Sequence, residues 1–592
     1  MMKKREELDE QFTWDLSVLC KSEEDFNKGI EKIKQYIEKF SQYENKLNNK
    51  ETILEFLKLD EQCEEEIEPL CLYVHLRRDE VLSDRKRNEM AEKINSVLNQ
   101  FSIDTAFVMS ELHELSDEVL DDIIADERFK DYDRMFADIK KGKIHMLSKQ
   151  EEKLLAGMNF LGGFSSNMNK FSDVDLKFGK VKDSKGKEYE LNQSSYSVLA
   201  RSEDRELRKN AMTKLNGKFG EYSNFLANNY ICDIKQDCYF AKVRKYKSAL
   251  DSALESEEVS RKVYESLIKC VNENLDVLFA YFDLKKKALG LEDFYIYDNM
   301  ASPIYKDKQK YTYDEAISII MEAVKPLGED YVKLIKQAKD ERWIDVYPNL
   351  DKRSGAYETA VYGVHPFVLT NFEGDLDSIF TLAHELGHAM HSHFSDKTQP
   401  RQKAGYTRFL AEIASTTNEI LLINYFLSKS KSVEEKIYLY NKLFDEVKGT
   451  IFRQTMFAEF EEKVHSVYEN NEALSKDMLC EVYYDLNKKY FGDTKLIDEI
   501  QYEWARIPHF FTSFYVYKYA TGMICAITFV NKILSNGKVS VDNYYKFLTA
   551  GASDTPINIL KKADCDLEDA KTFDNCFEYL RKLLKDWNKI QG

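Results

Sequence analysis

Two histidines and a glutamate within five residues are the side chains of this chain best suited to do chemistry together. His384 and His388 stand four residues apart with Glu385 directly after the first, in the pattern His-Glu-x-x-His. Positions i and i+4 of an α-helix lie about one turn apart on the same face, so both imidazoles can reach one metal ion. Glu385 can then face a water that the metal activates, without being a ligand itself.

The residues around this pattern favour a buried helix over one with two ordinary surface histidines. Its neighbours are mainly apolar, and they include Phe380, Leu382, Ala383, Leu386 and Ala389. Buried imidazoles and a buried carboxylate need partners, and one metal ion satisfies all three. The chain has only 10 histidines, so a random sequence of its composition would contain the pattern about 0.02 times. We therefore predict a zinc site in which Glu385 is the general base.

A catalytic zinc needs a third protein ligand, and three sequence patterns compete for that role. The first places a glycine three residues and a histidine six residues after the second ligand, but His391 and Phe394 occupy those positions. The second uses His391 itself. A straight helix cannot easily aim three successive turns at one ion, so we expect His391 to orient the site from a second shell or to pack.

The third pattern takes a glutamate from a following helix. Glu412 lies in the sequence Phe-Leu-Ala-Glu-Ile-Ala-Ser, an apolar setting in which a carboxylate needs a cation. Glu419 follows seven residues later, on the same helical face, where it could accept a hydrogen bond from a ligand imidazole. An ordinary surface charge is the alternative for Glu419.

Composition and charge limit the class of protein. The 592 residues include only 8 prolines and 22 glycines, which favours long helices and a mostly α fold. The net charge of −18 disfavours nucleic acid as a partner. We find no signal peptide and no membrane-spanning stretch, and the ten cysteines form no C-x-x-C pair. We expect a cytoplasmic protein without a membrane partner; its oligomeric state cannot be read.

The chain alternates long amphipathic helices with two short β-prone breaks. Helical periodicity covers residues 22 to about 160, with Ser22 as a helix cap and a capping box at Ser148. Alternating residues on both sides of the turn cluster 182–186 predict a β-hairpin. We predict an N-terminal helical domain 1–195 that ends in this hairpin, and a catalytic domain 196–592.

A second β-prone segment precedes the metal motif, from Arg353 through Phe372. Strands in this position predict a small sheet next to the metal-binding helix. Such a sheet could offer its edge to an extended peptide by β-augmentation, or it could be purely structural.

These motifs resemble the thimet oligopeptidase and oligoendopeptidase F family of zinc peptidases, and the oligoendopeptidase F branch fits best. The similarity covers Thr381 to Ser392 and the glutamate 24 residues after His388. It extends to Gly355-Ala356-Tyr357, Asn371-Phe372 and Thr13-Trp14-Asp15-Leu16. The resemblance implies a multi-helix zincin-like fold that encloses a deep channel, and short peptides as substrates.

The same resemblance implies roles for individual residues. It implies one zinc ion per chain held by His384, His388 and Glu412, with Glu385 as the catalytic base. It also implies a C-terminal helix that carries a histidine and tyrosines. The matching residues are His509, Tyr515 and Tyr519.

Tyrosine hydroxyls and an imidazole N–H can stabilise the oxyanion of a tetrahedral intermediate. We predict this role for His509 and Tyr515, and substrate contact for Tyr519; the choice between the two tyrosines stays open. For Tyr517 we expect a place in the core. Gly405 and Tyr406, in the loop before the Glu412 helix, are predicted to contact substrate.

Two other functions remain open on the sequence alone. A metallocarboxypeptidase or dipeptidase would need a cation for the substrate's terminal carboxylate, for which Arg401, Arg408 or Arg506 could serve. A non-catalytic peptide-binding protein would hold a structural zinc. Structural sites usually have four protein ligands, often cysteines, and no cysteine lies between residues 384 and 412.

Overall fold

The computed structural model describes residues 2–158, 162–303 and 309–591 of the chain. The described part is mostly α-helical and contains two small β-sheets, as predicted. No helix in it is both long enough and apolar enough to cross a membrane.

The α-helices account for most of the described residues. In chain order they are Glu23–Phe40, Lys50–Glu80, Arg85–Asp104, Phe107–Glu114, Asp117–Ile124, Asp133–Gly142, Lys149–Gly157, Phe164–Lys170, Gln193–Leu199, Arg205–Glu221, Ser223–Val243, Ala249–Ser256, Arg261–Glu273, Leu275–Ala288, Tyr313–Ala323, Glu329–Asp340, Leu376–Thr398, Arg401–Ala404, Arg408–Lys429, Val433–Val447, Arg453–Glu469, Lys476–Phe491, Tyr517–Asn536, Lys538–Leu548, Pro556–Lys562 and Ala570–Gln591. We call Leu376–Thr398 the motif helix and Arg408–Lys429 the glutamate helix.

Local sequence explains several helix ends. The Ser22 side chain accepts a hydrogen bond from the Asp25 N–H, and Ser148 forms a capping box with Glu151, as predicted. The helices Tyr313–Ala323 and Glu329–Asp340 are separated by a short break. Pro326 lies in the break, and Gly328 has a φ of 102°, which a helix cannot accommodate.

The strands form a hairpin and a three-stranded sheet. The hairpin pairs β1 (Lys180–Lys182) antiparallel with β2 (Glu188–Glu190), as predicted but with shorter strands. The second sheet has the order β3-β5-β4, with β3 at Ile344–Asp345, β4 at Tyr357–Thr359 and β5 at Phe367–Leu369. Periodicity did not reveal β3, because two residues are too few to show alternation.

The three-stranded sheet is fixed by its buried central strand. The three side chains of β5 are 0 % exposed, and Phe367 and Leu369 pack in one apolar cluster with Trp14, Leu72 and Leu76. The motif helix packs against β4 and β5. The predicted small sheet next to the metal-binding helix is therefore present, with β4 at its edge.

The contacts between residues divide the chain into two compact units. The first comprises residues 1–144, 307–422 and 537–554, and the second comprises residues 145–306, 423–536 and 555–592. The hairpin belongs to the second unit, where the side chains of Asn210 and Lys214 bond to backbone carbonyls of β1. Each unit is built from three separate stretches of chain, and none of them begins or ends at residue 195. The domain boundary at residue 195 stays a prediction.

Local sequence determines where the motif helix begins and ends. Asp375 caps its first turn by accepting a hydrogen bond from the Ser378 N–H at 2.9 Å. Gly374 precedes the cap with a φ of 76°, and an added Cβ there would lie 2.7 Å from the Tyr311 carbonyl oxygen. Pro400 follows the last turn and disfavours helical backbone at Gln399.

Candidate metal centre and active site

The motif helix and the glutamate helix touch at the backbone, and one glycine allows it. A Cβ added to Gly387 would lie 2.5 Å from the Cα of Ser415 and 2.8 Å from the carbonyl oxygen of Ala414. Non-bonded carbon atoms need about 3.5 Å, so any larger residue here would push the two helices apart. Gly387 lies between the two histidines of the motif, and the close approach brings Glu412 within reach of them.

A buried asparagine fixes the two helices against each other. The Asn418 side chain is 0 % exposed. Its Nδ2 donates to the Ala383 carbonyl of the motif helix at 3.0 Å. Its Oδ1 accepts from the Tyr331 hydroxyl at 2.9 Å. Because a buried amide must be satisfied on both sides, this pair of bonds selects one register for the glutamate helix.

Three side chains meet where the helices cross. The Nε2 atoms of His384 and His388 are 3.2 Å apart, and they lie 3.4 Å and 3.5 Å from Glu412 Oε2. Two ligand atoms that each lie about 2.1 Å from a tetrahedral zinc are about 3.4 Å apart. Among the described residues this is the only cluster of three or more His, Cys, Asp or Glu side chains that could hold a metal ion.

Neighbouring groups orient these ligand atoms. His384 Nδ1 contacts Glu419 Oε1; since a carboxylate only accepts, Nδ1 carries a proton, and Nε2 is the ring atom directed at Glu412. The Ser415 hydroxyl donates to Glu412 Oε2 at 3.2 Å. Glu419 therefore lies where it can hold the His384 ring in place, as expected. Ser415 holds Glu412 in a similar way, and periodicity did not reveal it.

The pKa shifts of the clustered side chains indicate that their arrangement favours a bound cation. Burial lowers the pKa of His384, but hydrogen bonds to Glu412 and Glu419 outweigh burial and raise that pKa to about 10. Hydrogen bonds from the two histidines hold the pKa of Glu412 well below its ordinary value. The Glu412 carboxylate and the two imidazoles thus surround a point that favours a positive charge, and the residues present fit a divalent metal.

Glu385 lies beside this point without joining it. Its side chain is 7 % exposed. Burial raises the pKa of Glu385, the two ligand imidazoles oppose the rise, and Glu412 adds to it. A carboxylate whose proton affinity is increased is suited to take a proton and release it again.

His391 is not part of the cluster of possible ligands. It is 1 % exposed, and its ring stacks on Tyr406 with centroids 3.8 Å apart. Burial lowers its pKa to about 3. Neither ring nitrogen has a hydrogen-bond partner among the described residues. These contacts agree with packing, one of the two roles we expected.

Gly405 and Tyr406 line a cavity of about 610 Å³ in the first unit. The Tyr406 hydroxyl lies 3.0 Å from that of Ser392, one turn beyond His388 on the motif helix. Residues 359–362, which continue the edge strand β4, line the same cavity. Gly405 and Tyr406, two of the predicted substrate contacts, therefore line the same cavity as the residues at the end of β4.

His509, Tyr515 and Tyr519 all belong to the second unit, where they lie close to one another. The His509 and Tyr519 ring centroids are 6.0 Å apart, and those of Tyr515 and Tyr519 are 5.5 Å apart. Tyr517 is 1 % exposed, as expected for a core residue. The roles of the first three in catalysis stay predictions.

Two of the three arginines considered for a substrate carboxylate already have carboxylate partners. Arg401 pairs with Glu68. Arg506 lies 2.9 Å from an oxygen of Glu503. Only Arg408, an exposed residue at the start of the glutamate helix, has no carboxylate partner of this kind among the described residues.

Two family models match this chain. The family model "Peptidase family M3" matches residues 198–579, and the model "Oligopeptidase F" matches residues 111–178. The chain belongs to peptidase family M3. The chain is thus a metallopeptidase, an enzyme that hydrolyses peptide bonds.

Full-length relatives agree with this assignment. The M3 peptidase is 36% identical to oligopeptidase PepF of Bacillus subtilis, over 99% of this chain and 88% of the relative. It is 34% identical to an oligoendopeptidase F homolog of Lactococcus lactis, over 100% of this chain and 99% of the relative.

Solved structures are similar over the same length. Oligoendopeptidase-F of Enterococcus faecium matches with a TM-score of 0.71 and 28% identity, over 96% of this chain and 99% of that one. A crystal structure from Chlamydophila abortus matches with a TM-score of 0.95 and 33% identity, over 100% of both chains.

Sequence reasoning missed three residues that shape the site of this peptidase. Gly387 lies inside the His-Glu-x-x-His pattern, and a glycine inside a helix can signal a close approach of another backbone. Ser415 and Asn418 lie three and six residues after Glu412, and polar residues in an apolar helix signal buried partners. What those partners are could not be read from the chain.

Proposed function

We propose that this peptidase is a zinc-dependent oligoendopeptidase that cleaves internal bonds of short peptides. The observation that carries the proposal is the set of distances of 3.2, 3.4 and 3.5 Å between three ligand atoms. They match the edges of a zinc tetrahedron, with Glu385 next to the first ligand in the chain. The names of its relatives support short peptides as substrates.

The donor set favours zinc in a catalytic role. His384, His388 and Glu412 would hold the ion, and a site with three protein ligands keeps a position open. When bound there, zinc supplies a Lewis acid that lowers the pKa of water to about 7 and polarises a carbonyl group. Glu412 is 48% exposed, so solvent and substrate can approach the cluster.

Glu385 is the proton carrier of the reaction we propose. It takes a proton from the attacking water and later gives it to the amine that leaves. The imidazoles of His384 and His388 stabilise the ionised form of Glu385, whereas burial favours the protonated form. This balance lets one group act as base and then as acid.

The edge strand β4 is the surface we propose for the substrate backbone. It pairs with β5 on one side only, so its other edge can pair with an extended peptide. The cavity lined by Gly405 and Tyr406 continues from its end and would take side chains of the substrate. We keep His509 and Tyr515 as proposed donors to the oxyanion, and Tyr519 as a proposed substrate contact.

A ladder of short peptides tests the proposal, each peptide blocked at both ends and its products mapped by mass. We expect internal cleavage that stops after chelation and returns when zinc is added. A carboxypeptidase would leave blocked peptides intact, and a non-catalytic binding protein would cleave none. Cleavage that survives complete removal of metal would contradict the proposal. For partners and localisation we propose short peptides, no nucleic acid, no membrane and a cytoplasmic site of action.

A further inference from the structure

A residue with a strained backbone, Phe514, lies between the two proposed oxyanion donors His509 and Tyr515. Phe514 follows the short 3-10 helix Pro508–Phe511 and precedes the helix Tyr517–Asn536, and its φ is 60°. A bulky side chain seldom adopts the left-handed region, and such strain persists only where the surroundings enforce it. Outliers of this kind cluster at functional sites.

A buried carboxyl group from a distant helix holds Phe514 in this conformation. Glu461 lies in the helix Arg453–Glu469 and is 0 % exposed. Its Oε1 accepts a hydrogen bond from the Phe514 N–H at 2.9 Å. The Phe514 ring, 3% exposed, packs against Tyr264 and His465 with centroid distances of 6.3 and 4.6 Å.

The other backbone hydrogen bonds of the turn are local. The Thr512 N–H donates to the His509 carbonyl at 2.9 Å, and the Tyr515 N–H donates to the Thr512 carbonyl at 3.2 Å. Lys518 in turn donates to the Tyr515 carbonyl at 3.3 Å. The Phe514 N–H is not part of this local series and donates to Glu461 instead.

We propose that Glu461 is a positioning residue, which sets the place of the Tyr515 hydroxyl by holding Phe514 in the left-handed conformation. The inference rests on the function proposed above for Tyr515. Glu461 itself does not touch substrate in this account.

The Glu461 side chain accepts this hydrogen bond in a fully buried site. Burial raises the pKa of Glu461 well above its ordinary value, the bond from Phe514 opposes the rise, and Asp237 and Asp233 add to it. Glutamine has the same size and its amide oxygen can accept the same hydrogen bond. Leucine has a similar size but accepts nothing.

The first experiment compares Glu461→Leu with Glu461→Gln on one blocked peptide. Removing an oxyanion donor costs about 10²–10³ in turnover, so displacing one should cost about tenfold in kcat, with KM little changed. We expect this loss in Glu461→Leu at unchanged zinc content, and recovery in Glu461→Gln. If Glu461→Leu does not fold, Glu461→Asp keeps a carboxyl group but shortens the side chain, and its kcat should fall in the same way.

Glu459 provides the matched control. It lies two residues away on the same helix and is 6% exposed, but its carboxylate binds Lys489 and Asn272. Glu459→Leu removes a buried carboxylate without touching the turn, so its kcat per folded enzyme should equal that of the wild type. If Glu459→Leu lowers kcat as much as Glu461→Leu, general disturbance explains both and the inference is overturned.

The double variant separates this inference from the proposed function. If Glu461 acts through Tyr515, then Glu461→Leu combined with Tyr515→Phe should be no slower than Tyr515→Phe alone. Independent, multiplying losses would overturn the inference. A normal kcat in Glu461→Leu next to a slow Tyr515→Phe would overturn the inference alone. A normal kcat in Tyr515→Phe would overturn the proposed role of that tyrosine and the inference with it.

Discussion

The three possible metal ligands lie on two helices whose backbones touch. The proposed oxyanion donors His509 and Tyr515 lie instead in the segment that leads into the helix Tyr517–Asn536. In the first region Gly387 and Asn418 fix one helix against the other through backbone contacts. In the second region a single strained residue, Phe514, depends on one buried side chain, Glu461. Helix packing thus positions the side chains of the first region, whereas a hydrogen bond to the backbone of a turn is proposed to position Tyr515 in the second.

This difference has consequences for substitution. Side chains on packed helices are positioned by many contacts, so the cluster should tolerate changes around it and fail only when a ligand or the helix contact is lost. The turn at Phe514 has one hydrogen bond to a distant helix, and we expect the loss of that bond to change the rate rather than the fold.

Loss of a ligand should have the largest effect. We expect Glu412→Ala to release the metal and to lower kcat by more than about 10⁴-fold, since charge stabilisation and proton transfer both depend on the ion. Metal content by mass spectrometry and cleavage of a blocked peptide measure both quantities. A variant that keeps stoichiometric zinc would show that Glu412 is not a ligand.

Glu385→Gln should separate chemistry from metal binding. Glutamine keeps the size of the side chain but cannot carry the proton, so we expect kcat to fall by about 10²–10⁴-fold. Zinc content should equal that of the wild type, because Glu385 is not among the clustered ligand atoms. Wild-type turnover in this variant would disprove the assignment of the base.

Gly387→Ala tests the contact between the helices. The added Cβ would lie 2.5 Å from the Cα of Ser415, so the helices must separate. Overpacking of this kind costs about 1–3 kcal/mol in the free energy of unfolding, and zinc affinity should fall with it. Denaturant unfolding and zinc titration measure the two effects.

Gly142→Ala is the control for that substitution. Gly142 ends the helix Asp133–Gly142, and a Cβ there meets nothing within 4 Å. We expect its unfolding free energy and zinc affinity to match or exceed those of the wild type. Equal losses in both variants would show that the helix contact is not special.

The smallest expected effect is a pH dependence of the free energy of unfolding that arises from Glu461. Burial raises the pKa of Glu461 above 4.5, so the folded state binds its proton more tightly than the unfolded state. The free energy of unfolding therefore falls as pH rises from about 4.5 towards the folded pKa. Glu461→Gln does not titrate, and its advantage over the wild type should grow across this range in unfolding experiments.

Glu459 should behave in the opposite way. Burial raises its pKa, but hydrogen bonds from Lys489 and Asn272 outweigh burial and lower it below 4.5. Its stabilising contribution is present above about 4.5 and is lost as pH falls through the folded pKa. Glu459→Gln should thus be less stable than the wild type near neutral pH, and the difference should vanish in acid. The same sign for both variants would contradict the contrast.

The sequence by itself determined the parts of this protein that depend on spacing within one element. The turn of an α-helix places His384 and His388 on one face whatever the rest of the chain does. The caps at Ser22 and Ser148 and the alternation around the hairpin are equally local, and all were predicted. The position of Glu412 was suggested by its setting and by resemblance.

Tertiary structure alone decided what brings separate elements together. The contact at Gly387 depends on another helix that begins 21 residues later in the chain. Phe514 meets Glu461 across 53 residues, and no pattern in either segment specifies the other. The two contact units combine three stretches of chain each, because burial is shared among residues that only folding brings into contact.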